Sequence, residues 1–206
     1  MRLFLLRHAQ TVWNLERRYQ GWTDSALTDL GRGQAEAAAK ALGAEPLVAV
    51  YASTLTRARD TAAAIAAPHG LPVREDPDFR EMAFGAWEGL SLDEARAKDP
   101  EGYRIWAETP ELFTAPGGET LADVRSRVLG ALGRLRAAHE GQSVCLVAHG
   151  LSARVIILEA LDLPLSRVWS IHLASTGISE LEFRPDWTAL HRMNTLVHLD
   201  AAPVAR

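Results

Sequence analysis

Two histidines in this sequence follow directly on largely apolar stretches. Leu3–Leu6 leads into Arg7 and His8, and Ser143–Ala148 leads into His149. A continuous apolar run, rather than an alternating one, predicts a strand that is buried on both faces. Parallel strands end at the same edge of their sheet, where ligands of open α/β sheets bind, so we expect the two histidines to meet there.

Two arginines point to a phosphate group as the ligand at this edge. Arg7 precedes His8, and Arg57 lies near the start of the helix that is predicted after the second strand. The planar guanidinium matches phosphate oxygens and keeps its charge at any working pH, and helix N-termini add backbone donors for an anion. Because a neutral imidazole is a good nucleophile toward phosphorus, the set predicts phosphoryl transfer through a phosphohistidine on His8.

Each of these residues also has a purely structural interpretation. His8 and His149 could be core histidines with satisfied hydrogen bonds, and Arg57 could form an ion pair with Asp60 or Glu81 on the surface of its helix. On the residues alone these alternatives stay open. The other histidines show no metal-ligand spacing, so the sequence predicts neither a metal site nor a cofactor; they are His69, His139, His172, His191 and His198.

The elements that would position these side chains alternate between strand and helix. This alternation predicts an α/β three-layer sandwich with a mainly parallel sheet and helices on both faces. The predicted strands are 3–6, 47–52, 71–75 and 143–148, followed by a hairpin of 177–183 and 188–193 around Pro185–Asp186. The predicted helices are 28–42, 55–66, a short one after the capping box at Ser91, 120–139 and 151–161, with Thr28, Ser53 and Thr120 as N-caps. In the helix at 28–42, one face is predicted to carry Leu30, Gln34, Ala37 and Ala41.

Two segments differ in character from these regular elements. Residues 10–27 form a polar and aromatic loop, which its aromatic content predicts to be ordered. Residues 79–118 are rich in Gly, Pro and Trp, and we interpret them as a lid-like insertion over the C-terminal edge of the sheet. The chain is therefore predicted to be one domain, 1–206, that contains this lid, with the last residues, 201–206, frayed.

Composition restricts the class of protein. The chain has 206 residues, 48% apolar and 23% charged, with a net charge of -4 and Cys145 as its one cysteine. No basic run suggests a nucleic-acid partner, and no apolar stretch approaches the length of a membrane span or a signal core. We therefore expect a cytoplasmic protein with a small-molecule partner, and the oligomeric state is left open, a homodimer being one option.

The motifs, taken together, resemble those of the histidine phosphatase superfamily, also called phosphoglycerate mutase-like. Arg7-His8-Ala9 is similar to the family's Arg-His-Gly signature, with alanine where the family has glycine. Further similar segments follow in the family's order along nearly the whole chain. They are Asn14 with Gln20–Gly21, Ser53 to Thr61, Phe79 to Glu81 with Phe84 to Gly89, Pro116 to Glu119, and Val147 to Gly150.

This resemblance implies a role for each matching residue. His8 would be the nucleophile, and Arg7, Arg57 and His149 would hold the phosphate. Glu81 would donate a proton to the leaving oxygen and later activate water, with Glu88 as its rival if the loop register differs. Asn14, Gln20, Gly21 and the amide of Gly150 would add phosphate contacts.

The resemblance also implies a reaction. The short length of the chain favours a phosphatase, and the segment from Phe84 to Gly89 is similar to that of broad-specificity and α-ribazole phosphatases. We therefore expect a metal-independent hydrolase of a small phosphorylated metabolite. A cofactor-dependent phosphoglycerate mutase is the alternative, and an inactive module that binds phosphorylated ligands is a second one. Arg17, Arg18 and Arg104 are candidates to contact a second anionic group of the substrate, or else are plain surface charges.

Overall fold

A single six-stranded sheet forms the centre of the computed structural model, which describes residues 1–199. Its strands are β1 (Arg2–Arg7), β2 (Leu47–Ala52), β3 (Val73–Glu75), β4 (Ser143–Ala148), β5 (Ile178–Phe183) and β6 (Thr188–Thr195). The order across the sheet is β3-β2-β4-β1-β5-β6. The pairs among β1 to β4 are parallel, whereas β5 and β6 are an antiparallel hairpin beside β1.

Helices lie on both faces of this sheet. The α-helices of residues 1–199 are α1 (Val12–Leu15), α2 (Asp29–Leu42), α3 (Thr56–Ala66), α4 (Leu92–Lys98), α5 (Pro100–Glu108), α6 (Leu121–Ala138) and α7 (Gly150–Ala160). Short 3-10 helices span Ala67–His69, Pro77–Phe79, Gly85–Trp87, Pro110–Leu112, Leu165–Ser170 and Val197–Leu199. The predicted three-layer α/β class is confirmed.

The central strand β1 shows why its apolar run is unbroken. Leu3 and Leu5 pack into the core beneath α6 and α7, whereas Phe4 and Leu6 pack into the core beneath α2 and α3. All four side chains are buried, since a strand in the middle of a sandwich has no solvent-facing side. Packing on both faces therefore fixes the position and the direction of the end of β1.

Residues 79–118 hold the aromatic part of the core on the α6 and α7 face. Trp87, Trp106 and Phe113 are buried and pack against one another, with ring centroids 4.6 and 5.1 Å apart for the two pairs that Phe113 makes. Helices α4 and α5 belong to this segment, and the predicted capping box at Ser91 opens α4. The segment is thus joined to the main core by apolar burial.

Two local predictions were wrong. Ser53 is not the N-cap of α3, because Leu55 takes that position and the helix begins at Thr56. The buried face of α2 is also different from the predicted one, and Ala41 is exposed. Its buried residues are Gly31, Ala35, Ala38, Ala39 and Leu42. Because five of the fourteen residues of α2 are alanine and only two are leucine, its apolar periodicity is weak. The helix is instead placed by the close approach of Gly31, where a Cβ would stand 2.1 Å from the Gln10 carbonyl oxygen.

Two sequence-based expectations concern chain ends and membranes. Within residues 1–199, no helix combines the length and the apolar character needed to cross a bilayer. The predicted frayed segment, 201–206, lies outside the described residues.

Candidate active site

The register between β1 and β4 brings the two histidines together. Arg7 is paired with Ala148, and the amide of His8 donates to the Ala148 carbonyl at 2.9 Å. The imidazole rings of His8 and His149 are 5.2 Å apart between centroids. Both side chains are buried at the carboxyl ends of neighbouring parallel strands, so one small ligand can contact both.

The His8 ring is held in one tautomer. Its Nδ1 lies 2.7 Å from the carbonyl oxygen of Ala9, and because a carbonyl can only accept, Nδ1 is assigned the proton. The Nε2 atom therefore carries a lone pair. Burial, followed by the positive charges of Arg57 and Arg7, holds the pKa of His8 well below its ordinary value. The ring is neutral near pH 7, which is the nucleophilic form.

Thr61 fixes the backbone that holds this ring. Its hydroxyl accepts from the Ala9 amide at 3.0 Å and donates to the Arg57 carbonyl at 2.7 Å. The side chain is fully buried on α3, so its rotamer is restricted by packing. Thr61 therefore couples the position of His8 to that of Arg57.

His149 is oriented by the hydroxyl of Ser53. Its Nε2 lies 2.7 Å from the Ser53 Oγ, which also accepts from the Leu55 amide at 3.1 Å. Within residues 1–199 the hydroxyl hydrogen of Ser53 has no other acceptor, so it points to Nε2 and leaves the proton of His149 on Nδ1. Burial first, and then the charge of Arg57, lowers the pKa of His149 well below its ordinary value.

Three buried nitrogen atoms at this place have no hydrogen-bond partner within residues 1–199. They are Nε of Arg7, Nε of Arg57 and Nδ1 of His149. Other guanidinium nitrogens are engaged: Arg7 Nη1 donates to Leu173 O at 3.0 Å, and both Nη atoms of Arg57 donate to loop acceptors between Gly21 and Asp24. Buried donors without partners are costly, and three of them beside one another are the expected lining of an anion site.

Glu81 lies at the same site but belongs to a different chain segment from the two histidines and the two arginines. Its Oε1 accepts from the amides of Met82 at 2.9 Å and Leu151 at 3.1 Å, the latter in the first turn of α7. Its negative charge raises the pKa values of Arg7 and Arg57, which burial lowers. The carboxylate is therefore close enough to both arginines to interact with the ligand they would hold.

Arg127 on α6 holds the loop that carries Glu81. It donates to the carbonyls of Asp78, Arg80 and Glu81 at 2.8, 2.7 and 2.8 Å, and it pairs with Glu119 at 2.8 Å. The Trp22 Nε1 donates to the same Glu81 carbonyl at 2.8 Å. The backbone on which Glu81 sits is thus fixed from two sides.

Glu88, the rival acid, is occupied by other groups. Its carboxylate accepts from the amides of Trp22, Thr23 and Phe84, each at 3.0 Å, and from the Thr23 hydroxyl at 2.6 Å. Gly21 sits directly above it, with a φ of 55° and with no space for a Cβ, which would stand 2.1 Å from Glu88 Oε1. Glu88 joins the two loops, and Gly21 is required by that close approach.

Asn14 and Gln20 are joined through Thr11 at the start of the first loop. The Thr11 hydroxyl lies 3.1 Å from the amide oxygen of each. With their oxygens directed to Thr11, the NH₂ groups of both side chains are left as donors. Gly150 is the first residue of α7, so its amide is one of the free donors of a helix N-terminus.

One cation at the site has no counterpart among the residues predicted from the sequence. Arg154 on α7 lies next to Glu81 and Arg7, whose charges act on its pKa. The signal that could reveal it is its position one helical turn after Gly150, on a helix that begins at the site.

The three arginines that were candidates to contact a second anionic group of the substrate lie in different environments. Arg18, which is half-buried, pairs with Glu16 and Glu94 and donates to the Gly89 carbonyl, and the exposed Arg104 pairs with Glu101 and Glu108. Arg17 is exposed at a left-handed φ of 54°. Arg18 and Arg104 are already neutralised by their own neighbours, which makes them surface charges. Within residues 1–199 no group of three or more His, Cys, Asp or Glu side chains is arranged to hold a metal ion.

Curated relatives share most of this chain. Phosphoserine phosphatase 1 of Hydrogenobacter thermophilus is 34% identical over 199 residues, which is 97% of this chain and 94% of that protein. A 2,3-bisphosphoglycerate-dependent phosphoglycerate mutase of Gloeobacter violaceus is 37% identical over 169 residues, 76% and 74% of the two chains. The bifunctional protein Rv2228c of Mycobacterium tuberculosis is 38% identical over 193 residues, 93% of this chain, but this chain spans only 53% of its length.

Solved structures share the fold as well. YhfR of Bacillus stearothermophilus superposes with a TM-score of 0.92 at 34% identity, covering 97% of this chain and 99% of that one. The α-ribazole phosphatase of Shigella flexneri superposes with a TM-score of 0.87 at 27% identity, covering 95% and 96%. The sequence model for the histidine phosphatase superfamily (branch 1) matches residues 3–196. This chain belongs to the histidine phosphatase superfamily.

Proposed function

We propose that this protein is a phosphatase that hydrolyses a small phosphomonoester through a phosphohistidine on His8, without a metal ion. The observation that carries the proposal is the joint geometry at the strand ends. A neutral imidazole with a free Nε2 lone pair stands beside three buried donors that lack partners, on Arg7, Arg57 and His149. These donors match the oxygens of a phosphoryl group bound next to the nucleophile.

The first half of the reaction transfers the phosphoryl group to the protein. Nε2 of His8 forms a bond to phosphorus as the ester P–O bond breaks, and the electron pair of that bond goes to the leaving oxygen. Glu81 gives this oxygen a proton as the bond breaks, acting as the general acid. The alcohol departs, and Arg7, Arg57 and His149 stabilise the charge on the transferring group.

The second half of the reaction regenerates the free imidazole of His8. A water molecule attacks phosphorus, and its proton passes to the Glu81 carboxylate. The N–P bond breaks, its electron pair returns to Nε2, and inorganic phosphate leaves. The hydrogen bond from Nδ1 to Ala9 keeps the ring in the same tautomer throughout.

Two variants test this mechanism as a matched pair. His8→Ala is expected to remove hydrolysis of p-nitrophenyl phosphate, since the nucleophile is gone. His191→Ala removes an exposed histidine of the β5–β6 hairpin that pairs with Glu182, and this variant should keep wild-type rates. Acid-labile, base-stable phosphate should be trapped on the wild type after rapid mixing with substrate. Equal rates for both variants would refute the phosphohistidine mechanism.

The mutase alternative has support of its own in the Gloeobacter relative, and one assay separates the two reactions. With 3-phosphoglycerate, a phosphatase releases inorganic phosphate, whether or not 2,3-bisphosphoglycerate is present. A mutase forms 2-phosphoglycerate and depends on the bisphosphate. A wild type that neither hydrolyses nor isomerises a panel of phosphate esters would instead favour the inactive binding module. Incubation with a chelator is expected to leave the rate unchanged, and a loss would contradict the metal-free mechanism.

A further inference from the structure

A turn of residues 173–177 holds Arg7 on the side of β1 that faces away from β4. The Leu173 carbonyl accepts from Arg7 Nη1 at 3.0 Å, and the Thr176 amide donates to the Arg7 carbonyl at 2.9 Å. The ladder between β1 and β5 ends at the pair of Leu6 and Ile178, one residue before Arg7. On this side the position of Arg7 therefore depends on the turn and not on the sheet.

The backbone of this turn is strained at Thr176. Its φ of 55° lies in the left-handed region, where a β-branched residue is a conformational outlier. The side chain is fully buried, and its hydroxyl donates to the Ser175 carbonyl at 2.8 Å. The Gly177 amide closes the turn by donating to the Ala174 carbonyl at 3.1 Å. Strain of this kind persists only where the surroundings hold it, and it is concentrated at functional sites.

Asn194 of β6 is the side chain that holds the turn. Its Oδ1 accepts from the Ala174 amide at 2.9 Å and lies against Gly177, where there is no space for a Cβ. The backbone of Asn194 has a left-handed φ of 51°, which asparagine adopts more readily than most residues. A second unusual backbone conformation therefore supports the one at Thr176.

A β-bulge directs Asn194 toward the turn. Between two pairs of the β5–β6 ladder, β6 has two residues, Met193 and Asn194, opposite the single residue Ser179 of β5. A bulge bends its strand and changes the direction of a side chain, and bulges are frequent beside active sites. The ladder pairs on either side hold the Asn194 backbone, whose amide also donates to Ser179 Oγ at 3.0 Å. The hairpin thus presents Oδ1 to the turn from a fixed position.

We propose that Asn194 is a positioning residue for Arg7 and acts through the 173–177 turn. This rests on the proposed function, in which Arg7 binds the phosphoryl group. Oδ1 of Asn194 fixes Ala174, which lies directly between the Leu173 carbonyl and the strained segment that ends in Thr176. Without this contact the turn can relax, and both hydrogen bonds that it makes to Arg7 are weakened.

Two substitutions of Asn194 separate its hydrogen bond from its backbone conformation. Asn194→Gly keeps the left-handed φ without strain but removes Oδ1, whereas Asn194→Asp keeps an acceptor at that position. Asn194→Gly should lower kcat/KM for p-nitrophenyl phosphate about 10- to 100-fold, because a displacement of about 1 Å in a reacting geometry can cost about 100-fold. It should also weaken the binding of orthovanadate, an analogue of phosphate, in calorimetric titrations. Asn194→Asp should restore most of both losses.

Ser179→Ala is the matched control for the fold. It removes the acceptor of the Asn194 amide but leaves Oδ1 on the turn, and the ladder still holds the backbone. It should lower Tm and keep both kcat/KM and the affinity for orthovanadate. If Asn194→Gly also lowers Tm without changing either quantity, Asn194 has a purely structural role and the inference is wrong. An Asn194→Asp protein as impaired as Asn194→Gly would overturn it as well.

A double variant decides whether Asn194 acts through Arg7. In an Arg7→Met background, Asn194→Gly should change the affinity for orthovanadate by less than about 2-fold, since residues that act through one group are not additive. An effect of full size in that background would overturn the inference. The titration needs no turnover, so the two proposals fail separately. Hydrolysis that survives in His8→Ala would refute the phosphohistidine mechanism, while non-additivity between Asn194 and Arg7 would still support the inference.

Discussion

The Ser53 hydroxyl sets the tautomer of His149, and its removal should reduce the rate more than its distance from the substrate suggests. Ser53 Oγ is fully buried, lies 2.7 Å from Nε2 of His149 and accepts from the Leu55 amide. In Ser53→Ala nothing holds the proton of His149 on Nδ1. A part of the molecules would then present a lone pair, instead of a donor, to the transferring phosphoryl group.

The size of the effect follows from these two contacts. Each lost hydrogen bond contributes about 0.5–1.5 kcal/mol to folding, so Ser53→Ala should lower the free energy of unfolding by about 1–3 kcal/mol. For a chain of this length each kilocalorie lowers Tm by about 2–4 °C. Full loss of one donor to a transition-state anion costs about 10²–10³ in kcat. Because a fraction of the rings keeps the productive tautomer, we expect a fall in kcat of about 10- to 100-fold.

A buried serine elsewhere provides the control for this experiment. Ser179→Ala on β5 also removes a buried hydroxyl that accepts from a backbone amide, that of Asn194 at 3.0 Å. Both variants should lose stability in urea titrations, Ser179→Ala by about 0.5–1.5 kcal/mol for its one hydrogen bond, whereas only Ser53→Ala should lose kcat. The ¹⁵N chemical shifts of His149 should move toward a mixture of tautomers only in Ser53→Ala. A Ser53→Ala protein that loses stability but keeps wild-type kcat would refute the tautomer argument.

Two further predictions follow from the acids and the histidines. Glu81→Gln should lower kcat about 10²–10⁴-fold on alkyl phosphates and less on p-nitrophenyl phosphate, whose leaving group needs no proton. Glu88→Gln should instead lower Tm and raise KM, and a similar leaving-group dependence in both variants would contradict the assignment. Since the pKa values of His8 and His149 are lowered by folding, the unfolded chain takes up protons first below about pH 6.5. The stabilisation from the neutral rings is therefore complete above that pH and decreases as the pH falls. The free energy of unfolding drops by up to about 1.4 kcal/mol per pH unit for each ring, and urea titrations from about pH 7.5 to 5 measure this drop. A flat wild-type profile, or the same slope in His8→Ala, would contradict it.

The positions of His8 and His149 could be predicted because local sequence and global topology agree there. Unbroken apolar runs indicate central strands, and parallel strands bring the residues after them to one edge of the sheet. The sheet class and the hairpin were accessible for the same reason. The failure at Ser53 has the opposite cause, since a serine before a helix is a common N-cap and only the tertiary position of His149 gives its hydroxyl another partner.

The sequence carries only one signal for Arg154, its position one helical turn after Gly150, because the environment of this side chain is assembled from distant segments. An arginine on a helix is usually solvated, and burial here depends on Trp169 and Ile171 from the next segment. The distinction between Glu81 and Glu88 also needs the fold, since both are acids in one loop. Only the arrangement of amides around each shows that Glu88 is fully occupied and Glu81 faces the arginines.

The hydrogen bond between His8 and Ala148 also constrains when the site can exist during synthesis. The ribosome releases β1 first, but the strand that completes the pocket, β4, ends at residue 148. Until that strand has emerged, β1 lacks its parallel neighbour and the nucleophile lacks His149 and α7. Such distant pairing is slow to form, because a long loop must close before any contact rewards it. An unfinished nascent chain therefore carries His8 without a phosphate pocket, and reactivity arises only as the last third of the described chain folds.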